Sequence, residues 1–136
     1  MNSEKLQLKK KEEMSLGNKQ IFIVDDDESV CRALSILLGT YGFTVDTFTS
    51  AEAFFSTVPN SDLGCLLLDI HMPGLDGWKT LQYVHTLGSS RPVIIISADK
   101  NGELKEKALK SGAVGFLQKP FSDQALVDLI KVAFEK

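Results

Sequence analysis

Acidic side chains follow two short apolar runs of this 136-residue sequence, at the point where each run ends. The run at residues 65–68 is followed by Asp69, and the run at 21–24 is followed by Asp25, Asp26, Asp27 and Glu28. Carboxylates at contact distance repel one another by roughly a few kcal/mol per pair at an effective dielectric near 20. If these side chains meet in the fold, they therefore need a cation beside them.

A hydroxyl and an amine occupy equivalent places after two further runs. Ser97 follows residues 93–96, and Lys119 comes shortly after the run at 114–117. One lysine against Asp25, Asp26 and Asp69 leaves two net negative charges, which one divalent cation would cancel. Oxygen ligands suit Mg²⁺, or Mn²⁺ in its place. The set predicts a metal and phosphate site in which Asp69 is a carboxylate nucleophile and Lys119 and Ser97 hold phosphoryl oxygens.

These residues would meet if the apolar runs are strands of one parallel sheet, because the carboxyl ends of such strands share an edge. Five short apolar runs alternate with stretches of helical period from residue 21 onward, as in a parallel sheet flanked by helices. Four runs are continuously apolar and predict buried strands, whereas residues 45–48 alternate and predict an edge strand. The pattern predicts a single doubly wound (βα)5 domain of the α/β class with three layers.

Five helices are predicted around these strands. The first has the apolar stripe Val30, Leu34, Leu37, Leu38 and Tyr41 and stops at Gly42. Ser50 caps the second, the third follows Asp76, and Ser122 caps the fifth. The fourth, at residues 101–110, offers little more than Leu104, Ala108 and Leu109 for burial, so we expect it to be held loosely.

Composition narrows the class of protein. At this length, with 43% hydrophobic residues, one domain can bury a core without disulfides, so Cys31 and Cys65 are predicted to be buried, reduced thiols of a cytoplasmic protein. No apolar run is long enough to cross a membrane. Residues 1–19 are predicted to form a flexible charged arm before a domain at 20–136; its small positive excess gives no reason to expect nucleic-acid or membrane binding.

Four motifs in this order and spacing resemble the receiver domain of two-component response regulators, from about residue 20 to the end of the chain. The motifs are VDD at 24–26, LLLDIHMPGLDG at 66–77, ISA at 96–98, and Phe116 followed by KPF at 119–121. The resemblance implies a flavodoxin-like fold whose five parallel strands lie in the order 2-1-3-4-5.

The resemblance also implies a role for each matching residue. Asp69 would accept the phosphoryl group as an acyl phosphate. Asp26 would bind Mg²⁺ directly, Asp25 through water, and His71 through its backbone carbonyl. Ser97 would be the switch hydroxyl and Phe116 the switch aromatic. Lys119 would pair with the phosphate, and its bond to Pro120 would be cis.

Partners follow from the same resemblance. The phosphoryl group would come from a sensor histidine kinase or a phosphotransfer protein. The domain would catalyse its own phosphotransfer and dephosphorylation and would not be an enzyme with a separate substrate. Phosphorylation would change the face formed by the fourth helix, fifth strand and fifth helix, which would control an output domain or effector or form a homodimer. No direct binding of nucleic acid is implied for this domain.

Several side chains have simpler interpretations. Asp27 and Glu28 favour the start of a helix over metal binding. The His71 imidazole is expected to face solvent, and Trp78 to be a partly exposed ring anchoring its helix. Ser97 stands where the family more often has Thr, and Phe116 lacks the hydroxyl of Tyr, which could soften the coupling between phosphorylation and the switch.

Two other functions remain open at this stage. Asp25 and Asp27 form a D-x-D pair, which a phosphatase of the haloacid dehalogenase type uses as nucleophile and general acid. That class also requires an acidic cluster after a later strand, where this chain has Ser97-Ala98-Asp99. The other alternative is a pseudo-receiver that binds partners without being phosphorylated, although the complete acidic set and Lys119 argue against it.

Overall fold

The computed structural model describes residues 19–71 and 76–135, and within them strands and helices alternate. The elements are β1 Gln20–Val24, α1 Glu28–Thr40, β2 Thr44–Phe48, α2 Ala51–Thr57, β3 Cys65–Asp69, α3 Gly77–Thr86, β4 Val93–Ser97, α4 Glu103–Lys110, β5 Gly115–Gln118 and α5 Asp123–Glu135. The predicted arm, apart from Lys19, lies outside the described residues, as does the 72–75 segment of the second motif.

All strand pairs are parallel, and the sheet order is β2-β1-β3-β4-β5. This confirms the predicted doubly wound fold and its strand order. Val24 pairs with Leu68, and Ser97 pairs with Gln118. The carboxyl ends of β1, β3, β4 and β5 therefore lie along one edge of the sheet, where the predicted site residues follow.

Apolar side chains fill both faces of the sheet because successive residues of a strand point to opposite sides. One face packs beneath α2, α3 and α4, and the other beneath α1 and α5. The first layer includes Phe22, Leu66, Ile95, Phe54, Leu81 and Ala108. The second includes Ile23, Leu67, Ile94, Leu34, Leu38, Leu126 and Ile130. Helices on both faces give the three predicted layers.

Side-chain caps fix where four of the helices begin. Asp27 caps α1, Ser50 caps α2 and Asp76 caps α3, each accepting a hydrogen bond from a backbone N–H of the first turn. The Ser122 hydroxyl accepts from the Ala125 N–H at 3.1 Å and caps α5. After α1 the chain reverses at Gly42, whose φ of +93° favours glycine. Predicted caps and stop residues are thus confirmed.

The predictions about burial in β5 and at the end of α1 are wrong. β5 is not a fully buried strand: Phe116 and Leu117 are half-buried and Gln118 is exposed, because β5 lies at the sheet edge with one neighbouring strand. Tyr41 does not belong to the inward stripe of α1, since it lies past the last helical residue and is exposed. Cys31 was not part of the predicted apolar stripe, but it is one of the buried residues of α1.

The fourth helix buries little, in agreement with the sequence. It begins at Glu103, two residues later than predicted, and Ala108 is its one fully buried residue. Leu104 is half-buried and Leu109 is exposed, although both were predicted to face the core. No side chain caps the helix at Gly102. It packs against β5 but contributes only one fully buried residue to the core.

A buried arginine closes the amino end of the sheet, and no pattern in the sequence predicted it. Arg91 is buried, and its guanidinium donates hydrogen bonds to the carbonyls of Pro59 at 2.6 Å and Asp62 at 3.0 Å. The same group lies 5.2 Å from the ring centroids of Phe22 and Phe54. Arg91 thereby holds the α2–β3 connection against the core.

Among the described residues, no helix has the length and apolar character needed to cross a lipid bilayer.

Candidate functional site

Three carboxylates meet where β1 and β3 end. One oxygen each from Asp25, Asp26 and Asp69 lies within 4.8 Å of the others. The pairing of Val24 with Leu68 places the residues that follow β1 beside the end of β3. Asp25 is 3% exposed and Asp69 8%, whereas Asp26 is exposed. The sheet register thus assembles the predicted acidic cluster, with two members buried and one open to solvent.

Asp25 is held on both of its oxygens. The Lys119 ammonium is 3.1 Å from Oδ2, and the Asp27 backbone N–H donates to Oδ1 at 3.0 Å. Lys119 reaches the site because its N–H extends the β4–β5 ladder by donating to the Ser97 carbonyl at 2.8 Å. The Lys119–Pro120 peptide bond is cis, as the resemblance implies. The single lysine of the cluster is therefore committed to Asp25.

Asp69 carries the least compensated charge of the three. Burial raises the pKa of its carboxyl to about 6, and the negative charge of Asp25 acts in the same direction. A hydrogen bond from the His71 backbone N–H at 3.2 Å and the charge of Lys119 oppose that rise in pKa without cancelling it. The Asp69 carboxylate is still mostly ionised at neutral pH, yet it is more basic than an ordinary aspartate.

The donor set fits a hard divalent cation. All three side chains offer oxygen, and one oxygen of each lies within 4.8 Å of the others. Lys119 is bonded to Asp25 and only partly offsets the charge of Asp69, which leaves two net negative charges in the cluster. The His71 carbonyl belongs to the loop directly after β3; its role as a further ligand stays a prediction.

Ser97 connects the site to α4 through three successive hydrogen bonds. Its hydroxyl, fully buried at the end of β4, accepts from the Asp99 N–H at 3.0 Å. The Asp99 carboxylate accepts from the Asn101 N–H at 3.0 Å, and the Asn101 side-chain oxygen accepts from the Glu103 N–H at 3.0 Å. Glu103 is the first residue of α4. We call this series the Ser97–Glu103 relay.

Phe116 lies between the sheet edge and α4. It pairs with Ile95 across β4 and β5, and its half-buried ring packs against the apolar layer that includes Ala108 of α4. The position suits an aromatic side chain that can shift with α4, as expected for the switch aromatic. Its motion stays a prediction.

Asp27 serves the start of α1. Its Oδ1 accepts from the Ser29 N–H at 2.9 Å and the Val30 N–H at 3.4 Å, and hydrogen bonds from Ser29 and Val30 lower the pKa of the carboxyl. Glu28 lies in the first turn of the same helix. Asp27 therefore faces the helix terminus while Asp25 faces Lys119. This separation disfavours a D-x-D pair that acts on one substrate.

Both cysteines are buried free thiols, as predicted. The Cys31 thiol donates to the Asp25 carbonyl at 3.3 Å and so supports the acidic loop from behind. Desolvation raises the pKa of both thiols, that of Cys65 to about 12. Neither thiol is poised as a nucleophile.

Two contacts around the site were not predicted. The exposed His71 imidazole has its Nε2 3.6 Å from Oδ2 of Asp99, so the loops after β3 and β4 approach each other. Trp78 is half-buried, as expected, but the Lys107 ammonium lies over its ring at 4.2 Å from the centroid. The sequence could not show these pairs, because each joins segments that meet only in the folded sheet.

Comparison with known proteins gives one consistent result. The family model described as the response regulator receiver domain matches residues 21–131. Response regulator protein TodT of Pseudomonas putida is 39% identical over 115 residues, which are 85% of this chain and 51% of TodT. Transcriptional regulatory protein FixJ of Bradyrhizobium diazoefficiens is 37% identical over 116 residues, 85% of this chain and 57% of FixJ. The chain spans about half the length of these curated relatives.

Solved structures agree with the fold. The crystal structure of FixJ-N superposes with a TM-score of 0.80 at 35% identity, covering 87% of this chain and 94% of that one. Chemotaxis protein CheY4 of Vibrio cholerae superposes with a TM-score of 0.73 at 22% identity, covering 86% of this chain and 99% of CheY4. The second likeness supports the fold alone.

Proposed function

The chain belongs to the response regulator receiver domain family, and on that premise we propose that Asp69 is its phosphoryl acceptor. The observation that supports this best is the position of the Asp69 carboxylate. It lies buried at the end of β3, with one oxygen within 4.8 Å of oxygens of Asp25 and Asp26, and Lys119 is bonded to Asp25 beside it. Its pKa is raised to about 6, so the carboxylate is ionised at neutral pH and can act as a nucleophile.

The proposed reaction is a phosphoryl transfer from a phosphohistidine. An Asp69 oxygen forms a bond to phosphorus while the bond from phosphorus to the histidine nitrogen breaks. The nitrogen keeps the electron pair of that bond, so the product on this chain is an acyl phosphate. Attack by water on phosphorus later releases inorganic phosphate and restores the carboxylate. The domain thus catalyses its own phosphorylation and dephosphorylation.

Residues of this chain would position the phosphoryl group. Lys119, already at the cluster, would pair with one phosphoryl oxygen, and the Ser97 hydroxyl would donate to another. Asp25 and Asp26, with Asp69 and the His71 carbonyl, would hold Mg²⁺ or Mn²⁺. The metal, when bound, supplies positive charge that offsets the negative charge of the phosphoryl oxygens.

The switch would begin at Ser97. As its hydroxyl turns toward the phosphoryl group, it gives up the hydrogen bond from the Asp99 N–H and thereby loosens the first link of the Ser97–Glu103 relay. Phe116 would fill the space that Ser97 and its loop leave. The face formed by α4, β5 and α5 would then change shape.

The partners proposed for this chain come from its family. A sensor histidine kinase or phosphotransfer protein would donate the phosphoryl group in the cytoplasm. The face formed by α4, β5 and α5 would act on an output domain or effector, or pair two copies of the chain. Its relatives TodT and FixJ are named as a response regulator and a transcriptional regulatory protein. An output in gene regulation is therefore the proposal for the whole protein.

Incubation with acetyl phosphate tests the acceptor directly. Intact mass should increase by one phosphoryl group in Mg²⁺ and stay unchanged in excess chelator. The Asp69→Asn variant should not be labelled, whereas Asp46→Asn, on the exposed edge strand β2, should be labelled like the wild type. Labelling of Asp69→Asn would assign the acceptor elsewhere. A folded wild-type protein that binds Mg²⁺ but is never labelled would support the pseudo-receiver alternative.

A further inference from the structure

The carboxyl-terminal half of α4 is attached to α3 by two side-chain contacts. Lys107 of α4 places its ammonium over the Trp78 ring, 4.2 Å from the centroid. At the end of α4, the His85 ring of α3 fills the space beside Gly112, where an added Cβ would collide with the imidazole Nε2. α4 packs against β5 and fully buries Ala108, and these two contacts add an attachment to α3.

The amino-terminal end of α4 is held differently. No side chain caps it at Gly102, and the Ser97–Glu103 relay joins it to the buried Ser97 hydroxyl. The helix is therefore fixed at one end by a hydrogen-bond series from the candidate phosphorylation site. At the other end it is fixed by α3. Lys107 is one helical turn beyond Glu103, so a displacement of the first turn is transmitted to the contact with Trp78.

We propose that the Lys107–Trp78 contact is a latch that holds α4 on α3 in the unphosphorylated protein, and that phosphorylation of Asp69 opens it. This inference rests on the proposed function of Asp69. Reorientation of Ser97 toward the phosphoryl group removes the acceptor of the first relay bond, and the released first turn of α4 draws Lys107 away from the indole. Trp78 stays in place, because its ring packs against the core layer under α3.

Thermodynamic linkage gives the latch a measurable size. The Lys107–Trp78 contact exists only in the unphosphorylated arrangement and shifts the equilibrium toward it by some factor. By linkage, the same factor must weaken the binding of a phosphoryl group or its analogue, which favours the other arrangement. The Lys107 side chain is exposed, and an exposed cation–π contact implies a factor of about two to five. Loss of the Lys107 charge should therefore tighten analogue binding by about two- to fivefold.

Trp78 is the one tryptophan of the chain, so its fluorescence reports the latch. The probe is beryllium trifluoride, a phosphoryl analogue, added with Mg²⁺ to the wild type, Lys107→Met, Lys107→Arg and Lys105→Met. Calorimetry gives the affinity, and emission gives the state of Trp78. Lys105 is an exposed lysine of the same helix and is the matched control. Arginine retains a cation that can lie over an aromatic ring.

The latch predicts a distinct result for each protein. Wild-type emission changes when the analogue binds. In Lys107→Met without the analogue, the Trp78 emission resembles that of the wild type saturated with the analogue, and it changes little when the analogue binds. This variant binds the analogue about two- to fivefold more tightly than the wild type. Lys105→Met and Lys107→Arg behave as the wild type.

Two results overturn the latch alone: binding of the analogue to the wild type with no change in Trp78 emission, or wild-type affinity in Lys107→Met. If the wild type binds no analogue and acetyl phosphate does not label Asp69, the proposed function fails and the latch fails with it.

Discussion

The buried Ser97 hydroxyl accepts a hydrogen bond from the Asp99 backbone N–H at 3.0 Å. The residue proposed to bind the phosphoryl group is thus already engaged with the loop that leads to α4. If the Ser97 oxygen moves toward the phosphoryl group, this bond is lost, and its loss is what would connect the chemistry at Asp69 to the face formed by α4, β5 and α5.

Substitution of Ser97 by alanine should separate phosphorylation from switching. Asp69 and Lys119 are unchanged in Ser97→Ala, so acetyl phosphate should still label the protein. The hydroxyl that would transmit the change is absent, so amide exchange in α4 should be the same before and after labelling. Ser97→Thr keeps the hydroxyl and should restore the difference. A full change of α4 exchange on labelling of Ser97→Ala would show that another residue drives the switch.

Lys119 should stabilise the metal-free protein by pairing with Asp25. In Lys119→Met the buried Asp25 carboxylate loses its cation, and the free energy of unfolding should fall by about 1 to 3 kcal/mol after allowance for the partial exposure of the lysine. Urea unfolding in chelator measures the loss, and Mg²⁺ should recover part of it. Lys131→Met, on α5 away from the cluster, is the control. An unchanged stability in chelator would contradict the proposed electrostatic role of Lys119.

Ionised Asp69 should destabilise the metal-free fold. Its pKa is about 6 in the folded protein and about 3.9 for an unperturbed aspartate, so the folded state binds the proton more tightly. The penalty is present in full above pH 6 and is relieved as the pH falls from about 6 to about 4. Asp69→Asn should therefore be more stable by about 1 to 2 kcal/mol at pH 7 in chelator.

Chemical unfolding at several pH values tests the effect of Asp69. The difference in unfolding free energy between Asp69→Asn and the wild type should diminish toward pH 4. Mg²⁺ should also reduce it, because the ion compensates the charge of Asp69. A difference that is independent of both pH and Mg²⁺ would mean that the Asp69→Asn substitution stabilises the fold by another route.

Arg91 should be important for stability and unimportant for phosphorylation. Arg91→Met keeps much of the apolar stem but removes the hydrogen bonds to the Pro59 and Asp62 carbonyls. We expect a loss of about 1 to 3 kcal/mol in unfolding free energy. Labelling at Asp69 should be unchanged where the protein is folded. An effect on labelling in the folded protein would show that the amino end of the sheet communicates with the site.

The sequence predicted the sheet and the acidic cluster because both depend on local patterns. Short apolar runs form strands, and parallel strands place Asp25, Asp69, Ser97 and Lys119 at one edge. Burial in β5 was predicted less well, since an apolar run does not show that its strand has a single neighbour. The pairs Lys107–Trp78, His71–Asp99 and Arg91–Pro59 were missed because each depends on how distant segments pack.

The central claim is that Asp69 carries the phosphoryl group, and reductive trapping tests it most directly. Borohydride converts an aspartyl acyl phosphate to homoserine, which peptide mass spectrometry locates within the chain. After treatment with acetyl phosphate and Mg²⁺, homoserine should be found at position 69 and at no other aspartate. Homoserine at position 25 or 26, or a stable phosphoryl group on His71, would contradict the account.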